Sequence, residues 1–275
     1  MLADEVTFDR VRAVAAALAD LVRAEGGGRV LVAHDRRFQG AALAATCARV
    51  LEGAGVRSVR AAAPLPTPAA SFAVIRRRLA AALVVTASHN PPAYQGLKVL
   101  GPGGGTAPAA WTRALERGAA AWLRRGAPPE RAPRGRAVDL ATPYRAALGR
   151  LLGEGLRGPR RLHVTVDALH GVGAGVLDRV LADAGARVTL LRGAADPCFG
   201  GQPPDPVPAH LGPLREALRR GRGLRLGLAT DGDADRLAAV DARGAPLSAS
   251  DVLALLVDHL ARTGRLRRGV ALSVA

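Results

Sequence analysis

The chain has 275 residues, 49% of them hydrophobic, and a formal net charge of +16, enough for one large or two ordinary domains with true cores. No apolar run reaches the roughly eighteen residues of a membrane span, and the acidic start Met1-Leu-Ala-Asp-Glu lacks a secretory core. Cys47 and Cys198 have no metal-ligand spacing and read as reduced thiols, so a cytoplasmic protein with no membrane partner is expected. The positive charge is Arg in scattered groups such as Arg76-Arg77-Arg78, Arg124-Arg125 and Arg267-Arg268, without aromatic interleaving or a known nucleic-acid motif. That pattern argues against a specific nucleic-acid partner. Arg215, Arg219 and Arg222 fall at helical spacing and read as a solvated face.

Residues 7–25 predict an amphipathic helix, with Val11, Val14, Leu18, Leu21 and Val22 on one stripe and Thr7 or Asp9 at its start. Gly26-Gly27-Gly28 ends it. Residues 29–33 read as a strand, 41–54 as a helix, 55–61 as a strand, and Pro64-Leu-Pro-Thr-Pro68 opens a further helix. Residues 80–85 are an apolar run that reads as a buried parallel strand. Strand, helix, strand, helix, strand is a doubly wound pattern. Residues 101–105 are a glycine turn with no Lys-Ser/Thr after it, so a Walker phosphate loop is absent. A helix is predicted over 111–125, and 126–136, rich in Pro, Gly and Arg without periodicity, reads as a linker.

A second unit starts near Asp139, with a helix after Pro143, a strand over 162–166, a helix over 176–184 and a strand over 188–191. The glycines between the first strand and helix resemble a dinucleotide fingerprint, but the third glycine position holds Val176 and no acidic residue ends the next strand. His170, in that segment, reads as a loop or packing histidine. A Pro/Gly-rich connection over 196–206 leads to a helix over 211–220 and a strand over 224–229. Residues 247–260 read as the entry to a third unit, and 269–275 as its first strand.

Two loops carry the chemistry. Thr86-Ala-Ser-His-Asn-Pro-Pro-Ala-Tyr-Gln-Gly-Leu-Lys98 follows the strand at 80–85, so Ser88 and His89 lie where open α/β sheets bind ligands. Lys98 and Asn90 are the only Lys and Asn of the chain. Where composition has drifted so far towards Arg, Ala and Gly, such exceptions mark chemistry that needs those residue types. Asp231-Gly-Asp-Ala-Asp-Arg236 alternates three carboxylates with small residues after another strand. Positions two apart share a side of an extended loop, and oxygen ligands there suit a hard divalent cation. An EF-hand is excluded, because its sixth position needs Gly and here is Arg236, and its twelfth is Ala242.

Both loops, with Asp35-Arg36-Arg37 and the His-Gly-x-Gly segment at His170, resemble the α-D-phosphohexomutases, the phosphoglucomutase/phosphomannomutase family. That family reads Tyr-Asn-Gly where this chain has Tyr94-Gln95-Gly96. The resemblance implies two Rossmann-like three-layer α/β domains with mostly parallel mixed sheets: domain I over 1–136 with the phosphoserine loop and domain II over 137–247 with the metal loop. The start of a third would occupy 248–275. It implies Mg²⁺ held by Asp231, Asp233, Asp235 and a phosphate oxygen on Ser88, with Arg37 near that phosphate and Arg236 and Asn90 as phosphate or substrate contacts. The implied reaction is an isomerase's: Ser88 passes a phosphoryl group to a hexose 1- or 6-phosphate of glucose or mannose, through a hexose 1,6-bisphosphate, and recovers it from the other position. His89 or Lys98 would handle a proton. Phosphoserine and three carboxylates sum to about −5, which Mg²⁺, Arg236, Arg37 and Lys98 nearly balance.

The family's opening Gly-Thr-Ser-Gly-x-Arg segment, third-domain sugar loop and fourth-domain phosphate loop have no counterpart. The chain by itself is therefore expected to be inactive or poorly active. Two other classes remain open: a non-catalytic phosphosugar- or metal-binding module, and a basic nucleic-acid-binding protein. Oligomeric state is not legible.

Overall fold

A computed structural model describes residues 4–126, 128–153, 162–266 and 269–270. Thr7 caps the first helix, α1 (Phe8–Ala24), by accepting a hydrogen bond from the Arg10 amide, and Val11, Ala15, Leu18 and Val22 form its buried stripe. It leads to β1 (Val30–His34), α2 (Gly40–Gly53), β2 (Ser58–Arg60), α3 (Thr67–Arg76), β3 (Ala81–Val85), β4 (Leu97–Leu100) and α4 (Ala109–Arg125). The sheet order is β2-β1-β3-β4, parallel except for β4, which runs antiparallel to β3 with Val84 opposite Lys98.

Alternate strand residues feed two different layers, as a period of two demands. Val30, Val32, Ala81, Leu83 and Val85 pack with α1, α2 and Leu115 of α4. Leu31, Ala33, Ala82 and Val84 pack with Leu65, Ala70 and Val74 at and within α3. Strands buried on both faces read as continuous apolar runs, and these do.

The stretch expected to be a featureless linker is pinned to the first unit. Glu130 accepts from Arg12 Nε at 2.7 Å and from Arg49 Nε at 2.6 Å. Val138 then bridges Ala61, and Leu140 is buried against the α3 layer, before α5 (Ala141–Leu152) leads on to the second unit.

That unit comprises β5 (His163–Asp167), α6 (Leu177–Asp183), β6 (Arg187–Leu191), α7 (Gly212–Arg220), β7 (Arg225–Thr230) and β8 (Leu237–Val240). Its order is β6-β5-β7-β8, again parallel except for the last strand. Both units are thus α/β/α layers around mixed, largely parallel sheets. A further helix, α8 (Ala249–Arg262), follows; Ser248 and Asp251 form a capping box at its start. The strand expected over 269–275 lies outside the described residues from 271 onward. Arg215 and Arg219 do not form a merely solvated face: their Nε atoms donate to Gly244 O at 2.9 Å and Arg243 O at 3.4 Å. Cys47 is buried and Cys198 exposed, both unpaired, and burial pushes the Cys47 thiol up to about 12. Among the described residues no helix is long and apolar enough to cross a membrane.

Candidate active site

The site forms where two equivalent loops meet, one leaving β3 and one leaving β7. Ser88 sits in the first with φ of 56°, a left-handed conformation that a serine adopts only when its surroundings enforce it. Those surroundings are explicit. The Ser88 amide donates to Thr86 Oγ1 at 2.9 Å, and the Thr86 hydroxyl donates to Asp35 Oδ2 at 2.6 Å. Asp35 Oδ1 accepts from the Arg37 amide. Burial pushes the Asp35 carboxyl up to about 6, against the opposing hydrogen bonds from Thr86 and Arg37.

Arg37, expected among the catalytic groups, has a different task here. Its Nη1 donates to Pro91 O at 2.9 Å and Tyr94 O at 3.0 Å, and its Nη2 to Ser88 O at 2.7 Å and Asn90 O at 2.6 Å. Nε lies 3.2 Å from Asp35 Oδ2. A guanidinium has five N–H donors; four go to carbonyls of the Ser88 loop and the fifth faces Asp35. Arg37 is 3% exposed and covered by the Phe199 ring of the second unit at 5.0 Å. It holds the loop with four of its five donors, while the buried Nε has no hydrogen-bond partner.

The acidic loop reaches into this frame. Asp231 Oδ1 accepts from the amides of Asp235 and Arg236, and Oδ2 from Ser88 Oγ at 3.0 Å, across 143 residues of chain. Burial, and then the neighbouring Asp233, push the Asp231 carboxyl up to about 7. Asp233 Oδ2 accepts from Thr67 Oγ1 at 2.6 Å and Lys98 Nζ at 2.7 Å. Burial acts to raise its pKa, yet the Lys98 and Thr67 bonds outweigh that and hold it below the ordinary carboxylate range. Lys98 also reaches Asp235 Oδ2 at 2.6 Å. Burial works against its charge, but the two carboxylates prevail and raise its pKa.

Close approach explains the small residues. A Cβ at Gly232 would lie 2.6 Å from Ser88 O, and one at Gly171 within 2.8 Å of the Asp231 and Gly232 carbonyls. The glycines that imitate a dinucleotide fingerprint therefore serve loop packing. His170 is a loop residue: its Nδ1 lies 3.0 Å from Ala194 O, and its own carbonyl accepts from Arg36.

Of the residues expected from sequence, the structure gathers Ser88, Lys98, Asp231, Asp233 and Asp235. His89 is half-buried, and its Nδ1 is buried with no hydrogen-bond partner. Asn90 is exposed and contributes its carbonyl to Arg37. Arg236 is turned to Asp205, 3.5 Å away, with its side chain 48% exposed. Sequence reasoning passed over Thr67 and Thr86. Both are neutral residues beside louder neighbours, and only the Pro-Thr-Pro setting of Thr67 marked its place at a helix start.

The residues fit a hard divalent cation. One oxygen from each of Asp231, Asp233 and Asp235 lies within 4.8 Å of the others. Asp233 is fully buried, and its Oδ1 has no partner, an arrangement that a polar group in the interior keeps only for something that binds it. Beside Lys98 and Asp235 a cavity of about 540 Å³ opens between β4 and α4, walled by apolar side chains including Leu97, Val99 and Leu115.

Comparison with known proteins agrees with this geometry. Residues 1–124 match the model of phosphoglucomutase/phosphomannomutase alpha/beta/alpha domain I, and residues 152–244 that of domain II. A phosphoglucosamine mutase from Kineococcus radiotolerans is 36% identical over 95% of this chain and 59% of its own length. One from Paenarthrobacter aurescens is 34% identical over 88% of this chain and 52% of its own length. The crystal structure of a phosphoglucomutase/phosphomannomutase family protein from Burkholderia thailandensis superposes with a TM-score of 0.82 at 28% identity, over 95% of this chain and 57% of that one. The chain thus spans between half and three-fifths of the length of these relatives. With both domain models matched in order and their two signature loops in contact, the chain belongs to the phosphoglucomutase/phosphomannomutase family, the α-D-phosphohexomutases.

Proposed function

We propose that this chain supplies the phosphoryl-carrying serine and the cation loop of a phosphohexomutase, which moves a phosphoryl group between the 1- and 6-positions of a hexose phosphate. The observation that carries this is the 3.0 Å contact between Ser88 Oγ and Asp231 Oδ2. It joins the nucleophile to a carboxylate cluster that fits Mg²⁺. Asp231, Asp233 and Asp235 would hold the ion, and when bound it supplies positive charge against the transferring phosphoryl group.

The chain's own residues do the rest. Arg37 and Thr86 hold Ser88 in its strained conformation, so no reorganisation is left for the moment of transfer. As a sugar hydroxyl oxygen bonds to phosphorus, the bond to Ser88 Oγ breaks and the hydroxyl proton must leave. His89, whose Nδ1 has no partner, is the group at hand to take it; Lys98, kept an ammonium by Asp233 and Asp235, brings positive charge to the cluster. The substrate class is hexose phosphates of glucose, mannose or glucosamine. The names of the two curated relatives favour the amino sugar, while the glucose and mannose readings rest on the family as a whole.

Incubation with glucose 1,6-bisphosphate or glucosamine 1,6-bisphosphate, followed by intact-mass measurement, tests the proposal. One phosphoryl group should be gained, mapped to Ser88 and abolished in Ser88→Ala, a loop change expected to cost stability well under about 1 kcal/mol. Label elsewhere in the chain would overturn the role of Ser88. Mg²⁺ binding with no phosphoryl gain from either compound would indicate a binding module instead of a mutase.

A further inference from the structure

Thr67 makes two hydrogen bonds to one residue of the other unit, 166 positions away in the chain. Its amide donates to Asp233 O at 2.9 Å, and its hydroxyl to Asp233 Oδ2 at 2.6 Å. Thr67 opens α3, and the first amides of a helix have no partner within it; this one is satisfied by the acidic loop. The preceding Pro66 offers α3 no side-chain cap. The Thr67 hydroxyl, which could have served the helix end, is spent on the carboxylate.

The consequence lies in how the two oxygens of Asp233 differ. Oδ2 is saturated by Thr67 and Lys98. Oδ1 is buried and bare. A carboxylate free to rotate about its last bond would exchange the two oxygens. A fixed hydroxyl at 2.6 Å, on the first turn of a helix packed into another unit, opposes that exchange.

We propose that Thr67 is the positioning residue of the cation site: it fixes the Asp233 carboxylate so that Oδ1 is the oxygen presented to the ion. The inference rests on reading the acidic loop as a divalent-cation site and adds to it a residue outside that loop. Lys98 does not fill this role alone. Its ammonium is divided between Asp233 and Asp235 on a flexible stem, whereas the Thr67 hydroxyl serves only Asp233.

The test is calorimetric titration of Mg²⁺ into the purified chain and its Thr67→Val, Thr67→Ser and Thr67→Ala variants, with thermal melting of each to establish folding. Val keeps the shape and loses the hydroxyl. It is expected to weaken Mg²⁺ about tenfold or more, the usual consequence of losing a group that orients a metal ligand. Ser, which keeps the hydroxyl, should stay within about threefold of wild type. The Ser and Ala variants differ by the hydroxyl alone, so they carry the same comparison should the Val variant not fold. A purely structural Thr67 would lower the melting temperature and leave the affinity of the folded variants unchanged; that result overturns the proposal while the cation site stands. Absence of Mg²⁺ binding by the wild-type chain would overturn the cation reading and this inference together.

Discussion

The loops leaving β3 and β7 occupy the same place in sheets of the same order, each between the third strand and an antiparallel edge strand, yet they are fastened in opposite ways. The Ser88 loop is held mainly by its own unit: Arg37 grips four of its carbonyls, and Thr86 ties the Ser88 amide to Asp35. The acidic loop secures Asp231 with two of its own amides. Among the described residues, the side-chain partners of Asp233 and Asp235 come from the first unit, namely Thr67 and Lys98. The packing shows the same asymmetry: β3 is buried along its whole length, while β7 is only partly buried. One loop is built in advance and the other is completed by contact, so the pair of units, and neither alone, makes the site.

The comparison breaks most severely at Arg37. Arg37→Met would strand the buried Asp35 carboxylate and four loop carbonyls, and loss of one partner of a buried pair costs about 3–5 kcal/mol. The expected result is a large fall in the urea midpoint. Arg37→Lys should recover only part of it, because an ammonium is a point charge without the planar fork. If Arg37→Met lost less than about 1 kcal/mol, the Ser88 loop would not depend on this clamp, and the contrast between the loops would fail.

A smaller effect tests the charge balance of the completed loop. Asp231 and Asp35 have folded values pushed above the ordinary carboxylate range, to about 7 and about 6. The folded state therefore binds more protons than the unfolded one between about 4 and 7, and stability falls as pH rises through that window. Asp233, held below the ordinary range, acts with the opposite sign: its contribution is present above the unfolded value and is lost only at more acid pH. The cation-free chain should thus melt at a higher temperature near pH 5.5 than near pH 7.5, by a few degrees, at roughly 2–4 °C per kcal/mol for a chain of this size. Asp231→Asn should flatten most of that slope. An unchanged slope in Asp231→Asn would place the burden on Asp35 and the first unit.

The chemistry-bearing loops were legible because they depart from the composition around them: the only Lys, the only Asn and three alternating carboxylates stand out in a chain of Arg, Ala and Gly. The two-unit α/β frame was legible from apolar runs alternating with amphipathic stripes. The four-residue edge strands β4 and β8 were not. Each is too short for periodicity to register, and their pairing is decided by the long strand beside them. Lys98 consequently looked like a loop residue, although β4 is what aims it. The task of Arg37 was equally hidden, since sequence shows a guanidinium but not which oxygens surround it. Glu130 made a supposed linker into a clasp through two arginines distant in sequence. Thr67 carries no charge, and its partner lies in the other unit.

The smallest expected effect on stability belongs to Arg236, the counterpart that sharpens the contrast with Arg37. Both are arginines at the mouth of the same site, and both were expected to meet phosphate. Arg37 is sealed in, with its four Nη donors on loop carbonyls. Arg236 is half exposed and meets Asp205 at 3.5 Å, the geometry of a surface pair that contributes about 0–1 kcal/mol. Arg236→Ala should accordingly leave the urea midpoint within about 0.5 kcal/mol of wild type. Its guanidinium keeps donors exposed to an incoming anion, as that of Arg37 does not, so the substitution should act on ligand rather than fold. Titration with a hexose phosphate at fixed ionic strength should show weaker binding in Arg236→Ala, with an unchanged melting curve. The reverse outcome, lost stability with unchanged binding, would make Arg236 another clasp between loops and leave the phosphate to be met by Lys98 and the cation alone.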